Sequence, residues 1–572
     1  MSPRSSARDR AGSAALTRAA RLQHRAVAEN AGGHAARGAV LIHQALDLLE
    51  VDIRRLDCHA VGQHDPDRCR LLARLFATLA KSTVEVSGVG PALEAMDRAR
   101  TWSSCLSDQS LDAFLLSQQA LILFRGGRLN EAEAAFDAAL ALMQRDSIDA
   151  ARVHINRGAL YVERGSLARA RDDLTRAVRL SRDLGDRQFE HIAVHNLACL
   201  EFLAGDLPLA LRLMETSLHV DEQTLEGLTH LDRSRVLLAA GLPEEADDAL
   251  DQAAGRFRRD RCWQDLAEVD LTRAEVALLT DRVVDARRLA GRARDRFRRH
   301  GNERWRRTAE LVLLQADQAA GRQPARLLPH ARRLVEEFAS ADLSTQVRTA
   351  RLLSAELTSA LGRTSEAWQQ LSAVGRERPG DPIGIRLHRH LVRADILERR
   401  GELPAARRSL RRGLTELASY QAQFGGVDLQ SASAVHGRRL ATRDLELALR
   451  SGRATSVLAA VERSRAVSGR IRPVIPPADA HTARLLAELR RLLETAEPDR
   501  RRVAALQVEL RSRSWLDDGS RELHPPTAVA ELGAAAETDD LHLVTITQAG
   551  GRLSSATIAS RGRPGLAELA AS

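Results

Sequence analysis

The sequence contains a single lysine, Lys81, and only 3% aromatic residues. A Walker-type phosphate loop requires Gly-Lys-Ser/Thr, and Lys81 follows Ala80, so this loop and most Schiff-base chemistry are excluded. Hydrophobic residues nevertheless make up 44% of the 572 residues. An interior of leucine, alanine and valine is typical of helices packed on helices and argues against an aromatic-rich β-sandwich.

Cysteine is also scarce, and long apolar runs are missing. Five scattered cysteines favour reduced thiols in a cytosol over a disulfide framework. No run of about 18 apolar residues predicts a membrane span. The arginine-rich start, Met1 to Arg21, lacks the apolar segment of a secretory signal. We therefore expect a cytoplasmic protein that has no membrane partner, with residues 1–14 disordered.

What the sequence has instead is an internal repeat. A glycine followed five residues later by alanine recurs along the chain, and successive turns lie 36 to 41 residues apart. Asp281 with Ala286 fits one gap, Gly321 marks a further turn without a matching alanine, and Gly33 and Gly452 begin weaker copies. The pairs are Gly90/Ala95, Gly127/Ala132, Gly165/Ala170, Gly205/Ala210, Gly241/Ala246, Gly362/Ala367 and Gly401/Ala406.

Each repeat predicts two helices joined by the turn. Glycine allows the first helix to end in a left-handed conformation, and the alanine allows the second helix to approach closely. Asn130 with Glu133 has the pattern of a capping box at the start of one second helix. A small residue also stands about seven positions before most turns. These residues are Ala120, Gly158, Ala198, Ala274, Ala355 and Ala394.

The residues Gly158-Ala159-Leu160-Tyr161, followed by Gly165, Ala170, Leu174 and Ala177, carry a family resemblance. This pattern resembles the tetratricopeptide repeat, although the units are longer than the usual 34 residues of that family. The resemblance covers residues 15–465, or about ten units. It implies an all-α, right-handed superhelix of helix pairs with a concave groove that binds proteins or peptides.

After Arg465 the period breaks at the proline-rich segment 472–477. A helical stretch is predicted over His481–Trp515, and a short helix begins at Pro526. Two predicted strands, Leu541–Thr547 and Leu553–Ala559, flank the turn at 549–552. We therefore expect a helical linker over 466–526 and a short α/β tail over 527–572.

This order of elements resembles bacterial proteins in which a CHAT domain, a caspase-like module, follows a tetratricopeptide array. Only the opening of that module is matched, by Glu462 to Ala466, the proline-rich break and the hairpin. Catalytic members use a histidine and a cysteine beyond the first hairpin. No cysteine follows Cys262, and the last histidine is His542. No catalytic residue is carried over. The resemblance implies a truncated module, a module split between two chains, or a small cap.

Two segments contain histidines that could in principle bind a metal. Cys58, His59, His64 and Cys69 lack the spacing of any common zinc finger and are interpreted as a loop. The segment 388–390, His-Arg-His, lacks the i, i+4 spacing that places two histidines on one helix face. It is interpreted as a solvated helix surface. No metal or cofactor is expected.

The segment from Arg287 to Arg307 contains ten arginines, with Phe297 and Trp305 interleaved. Most of these arginines are interpreted as the solvated face of a helix whose buried stripe includes Phe297. An acidic protein or peptide could also bind them, through a contact set of Arg292, Arg296, Arg299 and Arg306, and nucleic acid is a weaker alternative.

The sequence therefore predicts a scaffold that binds a partner protein or peptide in the groove of the repeat array. We expect this scaffold to be the recognition half of a CHAT-type system, whose separate catalytic chain would then be a partner. The alternative is a part of a caspase-like cysteine peptidase whose catalytic residues lie outside this chain. The chain itself is not expected to be an enzyme.

Overall fold

The structure is a computed structural model with two compact units, residues 1–200 and 201–572. The boundary falls within the ninth described helix, and each unit is described by itself. The residues that the structure describes are 3–31, 35–51, 65–104, 106–217, 226–259, 262–299, 302–341, 343–376, 381–469, 479–495, 499–514, 526–538, 543–549, 552–558 and 564–569.

In its described residues, the first unit consists of helices and the turns that join them. Its first helix includes residues 3–14, so the prediction of a disordered start is wrong there. Alanine and arginine, which are frequent in this segment, are good helix formers. The helices are α1 (Pro3–Ala31), α2 (Ala35–Leu48), α3 (Pro66–Val86), α4 (Val89–Ser103), α5 (Gln109–Arg125), α6 (Leu129–Leu142), α7 (Ile148–Glu163), α8 (Leu167–Asp183) and α9 (Arg187–Ala204).

The second unit continues with helical hairpins and ends in a small sheet. Its helices are α10 (Leu207–Ser217), α11 (Glu226–Ala240), α12 (Pro243–Arg259), α13 (Trp263–Leu279), α14 (Val283–Arg299), α15 (Glu303–Ala319), α16 (Pro324–Ser340), α17 (Ser344–Ala360), α18 (Thr364–Ser372), α19 (Ile383–Arg399), α20 (Leu403–Gln421), α21 (Val427–Ala432), a 3₁₀ helix (Ser433–Gly437), α22 (Arg438–Arg450), α23 (Ala454–Gly469), α24 (Ala480–Leu493), α25 (Arg500–Ser514) and α26 (Val529–Thr538).

The predicted turns fall between the two helices of each hairpin. Gly127 and Gly401, for example, have φ values of 72° and 81°, and Asp281 takes the same left-handed conformation with φ 58°. At the first of these turns the prediction is displaced. Gly88, with φ 89°, makes that turn, and Gly90 lies inside α4. Gly33 lies outside the described residues.

The alanines that follow the turns are in the core. All of them are fully buried except Ala95, which is 5% exposed. The small residues before the turns are buried as well, and a Cβ atom at Gly158 would lie 2.8 Å from Leu174 Cγ on α8. Small side chains therefore set the distance between the two helices of a hairpin. The fully buried alanines are Ala132, Ala170, Ala210, Ala246, Ala286, Ala367 and Ala406.

One predicted helix start differs in detail. Arg128 is the N-cap residue of α6 and makes no side-chain capping bond, so Asn130 and Glu133 do not form a capping box. Glu133 instead accepts hydrogen bonds from Tyr161 and Arg164 on the next hairpin. Glu133 therefore joins two hairpins, because a carboxylate at the start of a second helix also lies near the next hairpin.

Successive hairpins stack through their first helices. In the first unit α3 contacts α5, and α5 contacts α7. In the second unit α11, α13, α15, α17 and α19 contact one another in sequence, and each packs against its own second helix. This arrangement confirms the predicted all-α array of helical hairpins.

The tail forms a three-stranded antiparallel sheet in the order β1-β2-β3, with β1 Leu543–Ala549, β2 Arg552–Ile558 and β3 Gly565–Leu569. The first two strands confirm the predicted hairpin, and β3 was not predicted. Ala556 and Ile558 of β2 pack with Val457 and Leu458 of α23, so the sheet docks on the end of the array.

The helical stretch predicted over His481–Trp515 consists of two separate helices, α24 and α25. Pro498 precedes α25 in the sequence and cannot donate a helical hydrogen bond. Asp499 begins the new helix, since its carboxylate accepts from the backbone N–H groups of Arg501 and Arg502 at 3.0 and 3.1 Å. The proline-rich segment 472–477 lies outside the described residues.

Candidate partner-binding surface

The first helices of the second unit form a continuous surface, which we call the first-helix wall (α11, α13, α15, α17 and α19). Arg235 on α11 connects its first three members. Its guanidinium donates to Glu268 Oε2 on α13 at 2.7 Å and lies 5.7 Å from the ring centroid of Trp305 on α15. Polar and aromatic side chains at the N-terminal part of the wall are therefore held in fixed positions by neighbouring repeats.

Acidic side chains follow one face of α13. Asp265, Glu268 and Glu275 are spaced three and seven residues apart, which places them on the same side of the helix. All three are partly buried, and Asp232 of α11 adds a fourth carboxylate beside Arg235. Arg235 thus faces Asp232, Glu268 and Glu275, and Asp265 adds a further carboxylate on the same side of α13, so this part of the wall is acidic.

Burial weakens the ionisation of these carboxylates. It raises the pKa of Glu275 to about 7, although the positive charge of Arg235 opposes the shift. Burial also raises the pKa of Glu268, again against Arg235, and the pKa of Asp265. A cationic group that approached Glu275 would stabilise its ionised form, so this surface favours a basic ligand.

A second polar group joins three first helices around Glu356 on α17. His388 Nε2 on α19 lies 2.6 Å from Glu356 Oε2, and Arg439 on α22 donates to Oε1 at 3.0 Å. Burial alone would raise the pKa of this carboxyl, but His388, Arg439 and a hydrogen bond from Gln318 on α15 lower it to about 2. Glu356 is therefore a fixed negative charge in the wall.

The prediction that His388 and His390 lie on a solvated surface is wrong. Each side chain is 15% exposed, and each is paired with a glutamate on a neighbouring helix. His390 Nε2 lies 3.0 Å from Glu416 Oε2 on α20. Two residues apart on one helix, the histidines face different neighbours, because α19 packs between α17 and α20.

A pocket of about 430 Å³ lies beside Glu356, where α17, α19 and α22 meet the turn after α13. Acidic groups from the array and basic groups from α22 face one another across this pocket. Its charged lining includes Asp281, Glu356 and Asp395 with Arg438, Arg439 and Arg443.

The predicted arginine contact set divides into paired and exposed members. Arg292 Nε donates to Asp270 Oδ2 at 2.8 Å, and Arg296 donates to the same oxygen at 2.5 Å. Asp270, on α13, is 3% exposed. Both guanidinium groups therefore neutralise a buried carboxylate of the hairpin itself.

The other two members lie at the ends of neighbouring helices. Arg306 pairs with Glu303 and Glu310 on its own helix, at 2.8 and 2.9 Å. Arg299 is exposed, and its Nε donates a hydrogen bond to the backbone oxygen of Asp295 at 3.3 Å. Of the four, Arg299 presents the charge that is most accessible to an acidic partner.

The segment from Cys58 to Cys69, predicted to be a loop, lies mostly outside the described residues. Cys58, His59 and His64 are not described, whereas Cys69 is buried within the core of the first unit. The described cysteines Cys69, Cys199 and Cys262 form no disulfide. Among the described helices, none combines the length and the apolar character that crossing a membrane requires.

The fold is that of a helical-repeat protein, an array of stacked helical hairpins. Residues 111–183, which include α5 to α8, match the family model described as tetratricopeptide repeat. No curated protein matches the sequence.

Several solved structures resemble the chain. The apo form of the quorum sensor NprR from B. thuringiensis is 11% identical, covering 62% of this chain and 96% of its own, with a TM-score of 0.45. Aspartyl phosphate phosphatase F from Bacillus subtilis is 10% identical, covering 62% and 92%, with a TM-score of 0.41. A Rap protein complexed with competence and sporulation factor is 12% identical, covering 62% and 99%, with a TM-score of 0.40.

The acidic face of α13 and the cluster of ion pairs around Glu356 were not predicted from the sequence. The i, i+3, i+10 spacing of Asp265, Glu268 and Glu275 was available as a signal. The repeat period could not predict the contact of Glu356 with Arg439, because these two residues are 83 positions apart in the sequence.

Proposed function

We propose that this protein is an interaction scaffold that binds a basic segment of a partner protein on the first-helix wall. The observation that carries the proposal is the acidic face of α13. Three partly buried carboxylates share one side of that helix, and the positive charge of Arg235 acts on two of them, Glu268 and Glu275. A partner's arginine or lysine would supply the missing positive charge.

The rigidity of the wall supports this function. Arg235, Glu268 and Trp305 come from three successive first helices and are already in contact. Little conformational entropy is lost when a ligand binds side chains that are held in place beforehand. An extended or helical peptide could contact several repeats at once.

The test is a selection of peptides from a random library on the full chain, followed by fluorescence anisotropy with the selected peptides. We expect the peptides to be rich in basic residues. The double variant Glu268→Gln/Glu275→Gln should weaken binding at least 10-fold. The matched control Glu244→Gln/Asp248→Asn removes the same charge from exposed positions on the second helix α12 and should leave binding unchanged. Equal losses in both variants would contradict the proposal.

An acidic partner at Arg299 is the second candidate contact. It is favoured by the exposure of that side chain and by the exposed Arg298 beside it. Binding to an acidic peptide that depends strongly on salt, and that Arg298→Gln/Arg299→Gln abolishes, would support it. Binding that is independent of salt would count against it.

We further propose that the array, residues 15–465, is the recognition part of a CHAT-type system, with 466–526 as a linker and 527–572 as the start of a CHAT-like domain. The order of elements supports this proposal, since the array is followed by further helices and then by a strand hairpin. The chain would act with a separate catalytic chain and would not be a peptidase itself, since no cysteine follows Cys262.

The alternative is that this chain is part of a caspase-like peptidase completed by another polypeptide. Reading the DNA downstream for a frame that encodes further strands, a histidine and a cysteine distinguishes the two. Finding that frame, together with peptidase activity of the reconstituted pair, favours the alternative. Its absence, with no cleavage by the purified chain, excludes a peptidase formed in this way.

A further inference from the structure

The segment 424–439 departs from the repeat. A regular array would continue from α20 directly to another first helix. Instead, the short α21 and a 3₁₀ helix intervene before α22. Side chains of this region reach residues 157 to 197 positions earlier in the sequence, whereas stacked repeats bring together residues about 40 positions apart. The segment therefore folds back onto distant repeats of the same unit.

The segment is anchored at the end of α11, together with Tyr420 of α20. Tyr420 Oη donates to the Ala239 carbonyl at 2.7 Å, and His436 Nε2 lies 2.9 Å from the same oxygen. The last carbonyls of a helix lack partners within it, so this oxygen is available to both side chains. The rings of Tyr420 and His436 also meet edge to face, with centroids 6.5 Å apart.

The backbone approaches equally closely at this anchor. A Cβ atom at Gly241 would lie 2.6 Å from the Ala432 carbonyl oxygen and 2.7 Å from Ser433 Cα. Only glycine leaves room for that approach. Gly241 thus has two roles, since it also makes the turn between α11 and α12 with φ 85°.

The last two residues of the segment, directly after this anchor, form ion pairs. Arg438 pairs with Asp281 at the turn after α13, and Arg439 pairs with Glu356 on α17. The side chains of Arg438, Asp281 and Arg439 are 53%, 69% and 67% exposed. An exposed ion pair such as Arg438–Asp281 contributes little to stability, so it can give way to another charge. Glu356 is 17% exposed, and the exposed Arg439 is its accessible partner.

We propose that residues 424–439 are a latch. Arg438 and Arg439 occupy two carboxylates, Asp281 in the turn after α13 and Glu356 on the wall, that a partner's basic groups would otherwise bind. The proposal rests on the proposed function, because it assigns the same class of partner. A partner segment with two basic side chains displaces Arg438 from Asp281 and Arg439 from Glu356. The anchor at Ala239 keeps the released latch close to the wall, so it competes again when the partner leaves.

Hydrogen–deuterium exchange of the full chain tests the latch without any partner. The variant Arg438→Gln/Arg439→Gln should accelerate exchange of amides in 433–439 at least 5-fold. The control Arg408→Gln/Arg412→Gln removes the same charge from exposed positions on α20 and should leave that exchange unchanged. Unchanged exchange in the first variant, or equal acceleration in both, would overturn the latch.

A double-mutant cycle assigns the effect to the ion pair. Asp281→Asn keeps a side chain that tolerates the left-handed conformation and removes its charge. If Arg438 acts through Asp281, Arg438→Gln should accelerate exchange much less in the Asp281→Asn background than in the native chain. Fully additive effects would contradict the pairing.

An octa-arginine peptide is the probe for competition. We expect the Arg438→Gln/Arg439→Gln variant to bind it at least 5-fold more tightly than the Arg408→Gln/Arg412→Gln control, and saturating peptide to accelerate exchange of 433–439 in the native chain. If exchange is faster in the variant but the peptide binds to no chain, the latch is supported. The same result would contradict both the competition and the assignment of a basic partner. Binding that is equal in the two variants would overturn the competition alone.

Discussion

At the scale of single residues, volume at the buried alanines decides how closely two helices approach. Ala132 on α6 is fully buried, whereas Ala138 on the same helix is exposed. The burial of Ala132 was predictable from the sequence, because a small residue recurs at a fixed distance from each turn. It could not predict the charge state of a residue such as Glu275, because burial of a side chain depends on the neighbouring repeats.

Ala132→Leu should destabilise the first unit by about 1–3 kcal/mol, because the added carbon atoms overpack a closed site. Ala138→Leu adds the same atoms at an exposed position and should change the free energy of unfolding by less than about 0.5 kcal/mol. Urea denaturation followed by circular dichroism at 222 nm measures both. Equal destabilisation by the two variants would contradict the role of the small residue.

Glu275→Gln should stabilise the protein at pH 8 by about 1–3 kcal/mol relative to the native chain. The pKa of Glu275 is raised from 4.5 to about 7, so the folded state holds the proton in a range where the unfolded state has released it. The native chain therefore loses stability as pH rises from about 4.5 to 7, and the glutamine variant does not.

The measurement is the free energy of unfolding of both chains at pH 4 and pH 8. The two should be nearly equally stable at pH 4. Glu244→Gln, at an exposed position on α12, serves as the control and should show no such difference. A constant difference between Glu275→Gln and the native chain at all pH values would argue against burial as the cause.

At the scale of elements, helix pairs are tied together by buried charges that the repeat pattern does not encode. Asp270 joins α13 to α14 through Arg292 and Arg296, and Glu356 joins α15, α17 and α19. Helices and turns were predictable because apolar periodicity and glycine are local signals. The split between α24 and α25 was missed, although Pro498 marked it, and β3 was not predicted.

Asp270→Asn should destabilise the second unit by about 1–3 kcal/mol, because it leaves two guanidinium groups beside a buried neutral amide. Asp295→Asn removes a carboxylate that is 41% exposed and pairs with Arg294 and Arg298. That control should cost less than about 0.5 kcal/mol. Denaturant unfolding of the two variants compares them directly, and a larger effect of Asp295→Asn would contradict this account.

Glu356→Gln should lower stability at pH 7 by about 1–3 kcal/mol. The pKa of Glu356 is lowered from 4.5 to about 2, so its contribution is present above pH 4.5 and is lost as pH falls towards 2. The deficit of the variant should therefore shrink as the solution is acidified from pH 5 to pH 2. Thermal unfolding over this range, with Glu336→Gln at an exposed position as the control, measures it. A deficit that does not change with pH would exclude the ionised carboxylate as its source.

At the scale of the whole molecule, repetition made the class of fold predictable and left the binding surface open. Each hairpin needs its neighbours to bury its apolar face, so a regular period implies a stack. The contacts of His436 with Ala239 and of Arg438 with Asp281 join residues 197 and 157 positions apart. No local pattern predicts such contacts, and the second of them determines whether the Asp281 carboxylate is already paired.

Site-specific photo-cross-linking in cells tests the central claim, that partners bind on the first-helix wall. A photoreactive amino acid would replace the exposed Gln264, one turn before Glu268 on α13, in one chain and the exposed Asp248 on α12 in another. We expect a discrete cross-linked partner from position 264 that is absent from position 248. Cross-linking of the same partner from position 248 alone would contradict it.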